Sequence, residues 1–346
     1  MDTTKSNEIL VSIHCITYNQ KDYIRQCLDG FVMQKTNFKF VAYVGDDCST
    51  DGTTEIVKEY EKKYPNIIKG IYQSQNTKAT KNYFDVANAC KSKYVALCEG
   101  DDYWIDENKL QKQVDFLESH PDYTICFHPA KVVYEDFEFK KPSGIFPPRH
   151  TIRILKKQAT LSYLLRDEFI ATSSVMYRWQ FNDKSLQEGY PNDIVSGDWF
   201  LDIFHAKQGK IKILPDIMSV YRRNPGGVWS DSIANEDRLF LKYGIQMINL
   251  YDHIYKNFTD LSQEYLHTML LPNVKAVADI YYRNGKFKKL EEIKEKYPEY
   301  INMALSDKKL QIGKFEKKYK KYKNLFRVTF GIAVALSIAL IIFITK

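Results

Sequence analysis

Two kinds of hydrophobic pattern alternate through the first 120 residues of the 346-residue chain. Short apolar runs at 9–17, 38–44, 67–72 and 94–98 have the length of buried strands and end in polar turn residues. Between them lie stretches of helical period. Tyr23, Ile24, Cys27, Leu28, Phe31 and Val32 share one face of the first. The second starts at Thr53 and stops before Pro65, and the third covers about 80–91. Strand and helix in strict alternation predict a doubly wound, mostly parallel sheet, an α/β fold. Beyond residue 120 the pattern is more mixed. Strands are expected at 123–127, 131–139, 170–177, 211–214 and 217–221, with a loop at 142–148 and a helix over 196–207. From about 231 to 323 the pattern is helical and charged.

The end of the chain differs in kind. Residues 328–345 form an uncharged run rich in Ile, Ala, Leu and Val. As a helix it would span roughly 27 Å, close to the thickness of a bilayer core. Residues 306–327 carry eight Lys and one Arg against two acids, which accounts for the whole formal charge of +7. A basic flank before an apolar terminal helix predicts a membrane anchor with the preceding domain on the cytoplasmic side. Because the rest of the chain is neutral, the composition argues against a nucleic-acid partner. The expected organisation is a domain over 8–230, a helical basic extension over 231–323 and a transmembrane helix over 326–345. The six cysteines include no CxxC pair, and most lie in apolar runs, as buried free thiols of a reducing compartment would.

Ligands of open parallel sheets bind outside the carboxyl ends of the strands. Three polar clusters fall at such ends: Thr17-Tyr18-Asn19, Asp46-Asp47 and Glu99-Gly100-Asp101-Asp102. A pair of carboxylates after a strand suits a hard cation such as Mg²⁺ or Mn²⁺, which keeps substrate phosphates among its ligands. The same acids could simply precede a helix. Asp47 to Gly52 half resembles a calcium loop, but Lys58 stands where its bidentate Glu should be. Asp198 opens a helical stretch, with Asp193 and Asp202 nearby, and suits either a catalytic base or a helix-dipole acid. Arg222 and Arg223 lead a loop containing Gly226-Gly227, a combination able to close on phosphate oxygens. Walker A, GxGxxG, HExxH and GxSxG motifs are all missing.

Taken in order, Val11-Ser12-Ile13 with Thr17-Tyr18-Asn19, the block Val44 to Thr53, the segment Tyr94 to Trp104, Gly197-Asp198-Trp199 and Tyr221-Arg222 resemble family 2 glycosyltransferases of the GT-A fold. The resemblance covers roughly residues 8–230. It implies inverting transfer of a sugar from a nucleotide-diphosphate sugar, a UDP-sugar for preference, to a hydroxyl of a saccharide or lipid-linked saccharide, as in surface polysaccharide assembly. Thr17, Tyr18, Asn19 and Asp47 would contact the nucleotide, with Asp46 beside them. Asp101 would face ribose and sugar, and Asp102 would be the first choice as ligand of a divalent metal (Mn²⁺ or Mg²⁺). Asp101 is the second choice, and Glu99 would stand behind both. Asp198 would be the general base, and Arg222 or Arg223 would meet the diphosphate. The segment Gln75 to Asn82 departs from the family pattern, with Lys78 or Lys81 as substitutes for a missing Arg. The processive QxxRW signature is missing too, which favours transfer of a single sugar. A sugar nucleotidyltransferase and a non-catalytic nucleotide-sugar-binding module are the competing classes.

Overall fold

The structure, a computed structural model, describes residues 8–135, 143–181, 190–191, 193–225, 236–257 and 265–306. They belong to two compact units that divide between Ile233 and Ala234. The first opens with β1 (Ile9–Thr17), α1 (Lys21–Val32), β2 (Lys39–Asp46), α2 (Thr53–Lys63), β3 (Ile68–Tyr72), α3 (Lys78–Ala89) and β4 (Tyr94–Leu97). It continues through β5 (Tyr103–Trp104), α4 (Lys109–Ser119), β6 (Tyr123–Phe127), β7 (Ala130–Tyr134), β8 (Gly144–Phe146), α5 (Arg149–Gln158) and α6 (Leu161–Leu164). A 3₁₀ turn at Thr172–Ser174 leads to β9 (Met176–Arg178), α7 (Gly197–Gln208), β10 (Lys210–Ile213) and β11 (Ser219–Arg223).

Seven strands form the main sheet in the order β10-β6-β9-β4-β1-β2-β3. All neighbouring pairs are parallel except those made by β9, which runs against β4 and β6. β1 shows why the sheet must be covered on both faces. Val11, Ile13 and Cys15 are fully buried on one side, and Ser12 and His14 are buried on the other. Their polar groups are answered there: Ser12 Oγ pairs with Ser92 Oγ at 2.8 Å, and His14 Nε2 lies 3.0 Å from the Tyr83 carbonyl. Burial pushes the His14 imidazole down to about 4, so it stays neutral at physiological pH.

A second sheet, β5-β11-β7-β8, stands beside the ends of the first. β5 is two residues long and was not expected from the sequence; it exists because Tyr103 and Trp104 pair with Val220 and Ser219 of β11. Its effect is to hold the chain after Glu99–Asp102 against β11. Three more expectations shift. The strand expected at 170–177 is confined to Met176–Arg178, with the 3₁₀ turn before it. The loop expected at 142–148 contains β8, which pairs with β7. The helix α5 follows it, where no element was expected.

The second unit holds α8 (Glu236–Asn257), a π-helical turn at Leu266–Leu270, α9 (Leu271–Arg283), α10 (Phe287–Lys296) and α11 (Pro298–Ser306). Leu270, Leu271, Val274, Val277, Tyr281 and Leu290 are buried within it. Among the described residues no helix is long and apolar enough to cross a membrane. The apolar run expected to anchor the chain, and most of the lysine-rich segment before it, lie outside those residues, as do Gly226 and Gly227.

Candidate active site

The carboxyl ends of β1, β2 and β4 lie side by side, because β1 pairs with both others in parallel register: Thr17 is opposite Asp46, and His14 opposite Leu97. The chain leaving β4 turns back over the end of β1. Gly100 donates to the Ile16 carbonyl at 3.0 Å, and a Cβ at Gly100 would stand 2.5 Å from Gln20 Oε1 and 2.7 Å from Thr17 Oγ1. Only glycine lets the acidic segment approach this closely.

The two aspartates after β2 have different surroundings. Asp46 is buried, and its carboxylate ties the turn into α2 by accepting from the Ser49 and Thr54 hydroxyls. Asp47 accepts from Thr77 N at 2.7 Å and Thr77 Oγ1 at 2.8 Å, which brings the start of α3 to the end of β2. Asn19, at a φ of 50°, joins this frame: its N–H donates to Ser49 Oγ and its Oδ1 accepts from Thr50 N. Asp51 accepts from Thr53 N and Oγ1 at the start of α2. Tyr18, by contrast, is 46% exposed at the strand end, an aromatic face open to a flat ring. Lys81 forms an exposed ion pair with Asp85 one helical turn on, at 2.6 Å.

The acids after β4 also separate. Asp102 is 2% exposed, and its Oδ1 accepts from Arg222 N at 2.8 Å. Burial and then the charge of Asp101 push its carboxyl well up, while hydrogen bonding to Arg222 N and Ser173 pulls it back. Asp101 is half-buried, its carboxyl raised by burial and eased by a 3.0 Å hydrogen bond from Asn224 Nδ2. Glu99 is exposed. Protein crowds it while water still reaches it, so the upward push from desolvation, then from Asp101, Asp198 and Asp102, is tempered by solvent.

Asp198 lies in the first turn of α7, where Oδ1 accepts from Trp199 N at 3.0 Å and Oδ2 from Thr172 Oγ1 at 2.7 Å. Its neighbour one turn on, Asp202, is buried and bonded to the Tyr177 hydroxyl at 2.6 Å, which makes it a core acid. The 3₁₀ turn is the link between Asp198 and the acidic segment. Thr172 holds Asp198, and the Ser173 carbonyl accepts from Trp104 Nε1 at 2.9 Å. The two arginines diverge. Arg222 is buried between the rings of Tyr23 and Tyr103, each 4.8 Å away, and bonded to Glu135, Gln26 and the Asp101 carbonyl. Arg223 forms no ion pair among the described residues, and its Nε is buried without a hydrogen-bond partner.

The structure therefore sets the strand ends that carry Thr17, Tyr18, Asp47 and Glu99 side by side, puts Asp101, Asp102 and Asp198 within electrostatic reach of Glu99, and puts Arg223 within reach of Glu168. It gives Asn19, Asp46, Asp102 and Arg222 framework contacts, and puts Lys81 in an exposed pair. Sequence reasoning missed Thr77, Thr172, Ser173, Asn224 and Glu168, whose hydroxyl, amide and carboxyl groups match no motif. Glu168 is pushed well up by burial, then by Asp198 and Asp202, so it shares the acidic surroundings of the site.

A family model, Glycosyl transferase family 2, matches residues 12–185, and the chain belongs to that family. An uncharacterised Mycobacterium tuberculosis protein, Rv1520, is 41% identical over 230 residues, which are 66% of this chain and 63% of that protein. The chain thus matches less than two thirds of that relative's length. The Bacillus subtilis putative teichuronic acid biosynthesis glycosyltransferase TuaG is 33% identical over 108 residues, 31% of this chain and 42% of that one. Among solved structures, the Pyrobaculum calidifontis mannosyltransferase PcManGT in complex with GDP-Man and Mn²⁺ aligns with a TM-score of 0.52 at 15% identity, covering 86% of this chain and 84% of that one. Staphylococcus aureus TarS 1-349 in complex with UDP-GlcNAc aligns at 0.50 and 18%, covering 84% and 92%. At such identities the likeness is one of fold: the chain has the α/β GT-A-type architecture, with a mixed sheet and flanking helices.

Proposed function

We propose that the chain transfers one sugar from a nucleoside diphosphate sugar, a UDP-sugar for preference, to a hydroxyl of a saccharide or lipid-linked saccharide, with inversion at the anomeric carbon. What supports this reading is that Asp198, held by Thr172, lies within electrostatic reach of Glu99, and would face it across a donor cleft. A donor lying along the ends of β1 and β2 would meet Tyr18 and Asp47 with its base and ribose. Its diphosphate would reach Asp101 and Arg223. An acceptor hydroxyl beside Asp198 would give its proton to that carboxylate as its oxygen attacks the anomeric carbon. The nucleoside diphosphate then leaves from the opposite face.

The acids after β4 would suit a divalent metal, Mn²⁺ or Mg²⁺, with further ligands from the donor, since among the described residues no three such side chains converge on one point. Their donors are all oxygen, and burial first, then the neighbouring acids, raises both Glu99 and Asp102. Asp101 with Glu99 is the accessible pair, and Asp102, the first choice from sequence, would support them from its buried position. When bound, the metal would neutralise charge growing on the diphosphate.

The test is release of nucleoside diphosphate from a panel of sugar nucleotides with membrane lipid extract as acceptor source, with and without a chelator. Transfer should fall by about 10²–10⁴ in Asp198→Asn, the usual cost of losing a general base, with donor binding kept. Unchanged transfer in that variant sinks the base assignment, and unchanged transfer under chelation sinks the metal. Pyrophosphate release would point to a nucleotidyltransferase, and no turnover with any donor to a binding module.

A further inference from the structure

Helix α5 carries Arg149, His150, Arg153, Lys156 and Lys157; residues 143–166 contain no acid, and Asp167, the next one, lies within electrostatic reach of His150. At 3.6 residues per turn these five side chains occupy one arc of about 120°. Thr151 and Leu155 point the other way and are buried, so the helix is seated on the domain with its basic side outward. Some exposed cations elsewhere in this unit are paired, Arg25 with Glu59, Lys35 with Glu107, Lys93 with Glu118, Lys112 with Asp106 and Asp216, and Lys210 with Asp122. Arg149, Arg153, Lys156 and Lys157 make no ion pair among the described residues. At the edge of the basic arc stands Ile154, 40% exposed.

The helix begins near the candidate active site. Phe146, at the end of β8, places its ring 6.2 Å from that of Tyr221 on β11, and two prolines then lead into α5. Tyr221 precedes Arg222, has Arg223 5.3 Å from its ring centroid and lies in the field of Asp102, Glu99 and Glu168.

We infer that α5 is a membrane-surface contact: its basic arc lies on anionic lipid headgroups with Ile154 dipping into the interface, which turns the rim of the cleft toward the bilayer. An unneutralised basic face complements an anionic surface, and the isoleucine decides between partners. A water-soluble polyanion has no use for an exposed apolar side chain, whereas a headgroup region accepts one. The inference rests on the proposed transfer for its purpose, since it would present the site to a lipid-linked acceptor.

The experiment uses the full chain with Ile154→Cys carrying a polarity-sensitive fluorophore. The labelled wild-type chain corrects for Cys48, the one native thiol that is not buried. On vesicles of phosphatidylcholine with phosphatidylglycerol the label should brighten severalfold and shift to the blue. On pure phosphatidylcholine, or at about 1 M salt, where screening acts within 3 Å, it should not. Adding Arg153→Gln and Lys157→Gln should weaken the shifted state about fivefold per charge removed. Hydrogen exchange of the unmodified chain supplies a second reading: amides of 149–157 should slow on the anionic vesicles. If the chain sediments with those vesicles while the label stays water-like and these amides stay unprotected, the inference is overturned. Protection by inorganic polyphosphate without a blue shift on vesicles would overturn it in favour of a soluble polyanion. Nucleoside diphosphate release from the same labelled sample reports separately on the transferase reading, so either can fail alone.

Discussion

Arg222 and Arg223 are adjacent on β11, and strand alternation sends their side chains to opposite faces. Arg222 is fixed by Glu135, Gln26 and the Asp101 carbonyl, and its own N–H holds Asp102. Its loss leaves a buried carboxyl region without its organising cation. Because Glu135 is 39% exposed, solvent recovers part of the cost. Arg222→Ala should therefore destabilise the domain by about 2–4 kcal/mol, read as a shifted denaturant midpoint. Arg223→Gln should leave that midpoint within about 0.5 kcal/mol and lower transfer instead. If Arg223→Gln unfolds the domain while Arg222→Ala is silent, the division of labour is reversed. Such a distinction had no trace in the sequence, where the two arginines are equivalent members of one cluster. It is created by Glu135 and Gln26, which stand 87 and 196 positions away. The same holds for Asp46 and Asp47: one ties a turn and the other meets Thr77, a contact that only the packing of α3 establishes.

At the level of elements, the parallel core was legible because β1, β2, β3 and β4 are dictated by their own apolar runs, α1 by its helical period, and α2 by its start at Thr53 and its stop before Pro65. β5 and α5 were not. A two-residue strand has no periodicity to detect and exists only through its pairing with β11. Thr151 and Leu155 alone make too narrow an apolar stripe to announce a helix. Gly100 shows how elements meet at the site. In Gly100→Ala the added methyl would press on Thr17 and Gln20, so the acidic segment must back away from the end of β1. Donor KM should rise with the fold intact, and an unchanged KM would show that this approach has no part in donor binding. Lys109, at the start of α4, gives a second prediction at this scale. It is fully buried, with Nζ 4.0 Å from the Trp104 ring centroid and 2.7 Å from Gln113 Oε1, and burial pushes it down to about 7. The unfolded chain binds this proton below about 10.5 and the folded chain only below about 7, so stability should climb as pH rises from 7 toward 10.5. Each tenfold change in proton affinity is worth about 1.4 kcal/mol, which makes the total a few kcal/mol. Lys109→Met should flatten this climb in urea denaturation followed against pH. An equal slope in the variant would assign the climb to other groups.

For the whole molecule, the described residues of the two units account for the fold and the site, and the positive excess of the chain lies almost wholly beyond those residues, in 306–327. Two membrane contacts of different strength are then proposed for one chain. The apolar run of 328–345, as a spanning helix, would hold the protein against any salt concentration, since insertion of that length is effectively irreversible. The four unpaired cations of α5 act through charge at about 1 kcal/mol each and fade with screening. Deleting residues 307–346 separates the two. The full chain should stay in the membrane fraction through washes at low and high salt. The shortened chain should remain only at low salt and move to the supernatant as salt rises, retaining donor-dependent nucleoside diphosphate release because the acids, Asp198 and Arg223 are all kept. Retention of the shortened chain at high salt would place the anchor within residues 1–306 and remove the terminal helix from the account. Its complete release even at low salt on anionic membranes would leave α5 too weak to orient the cleft by itself.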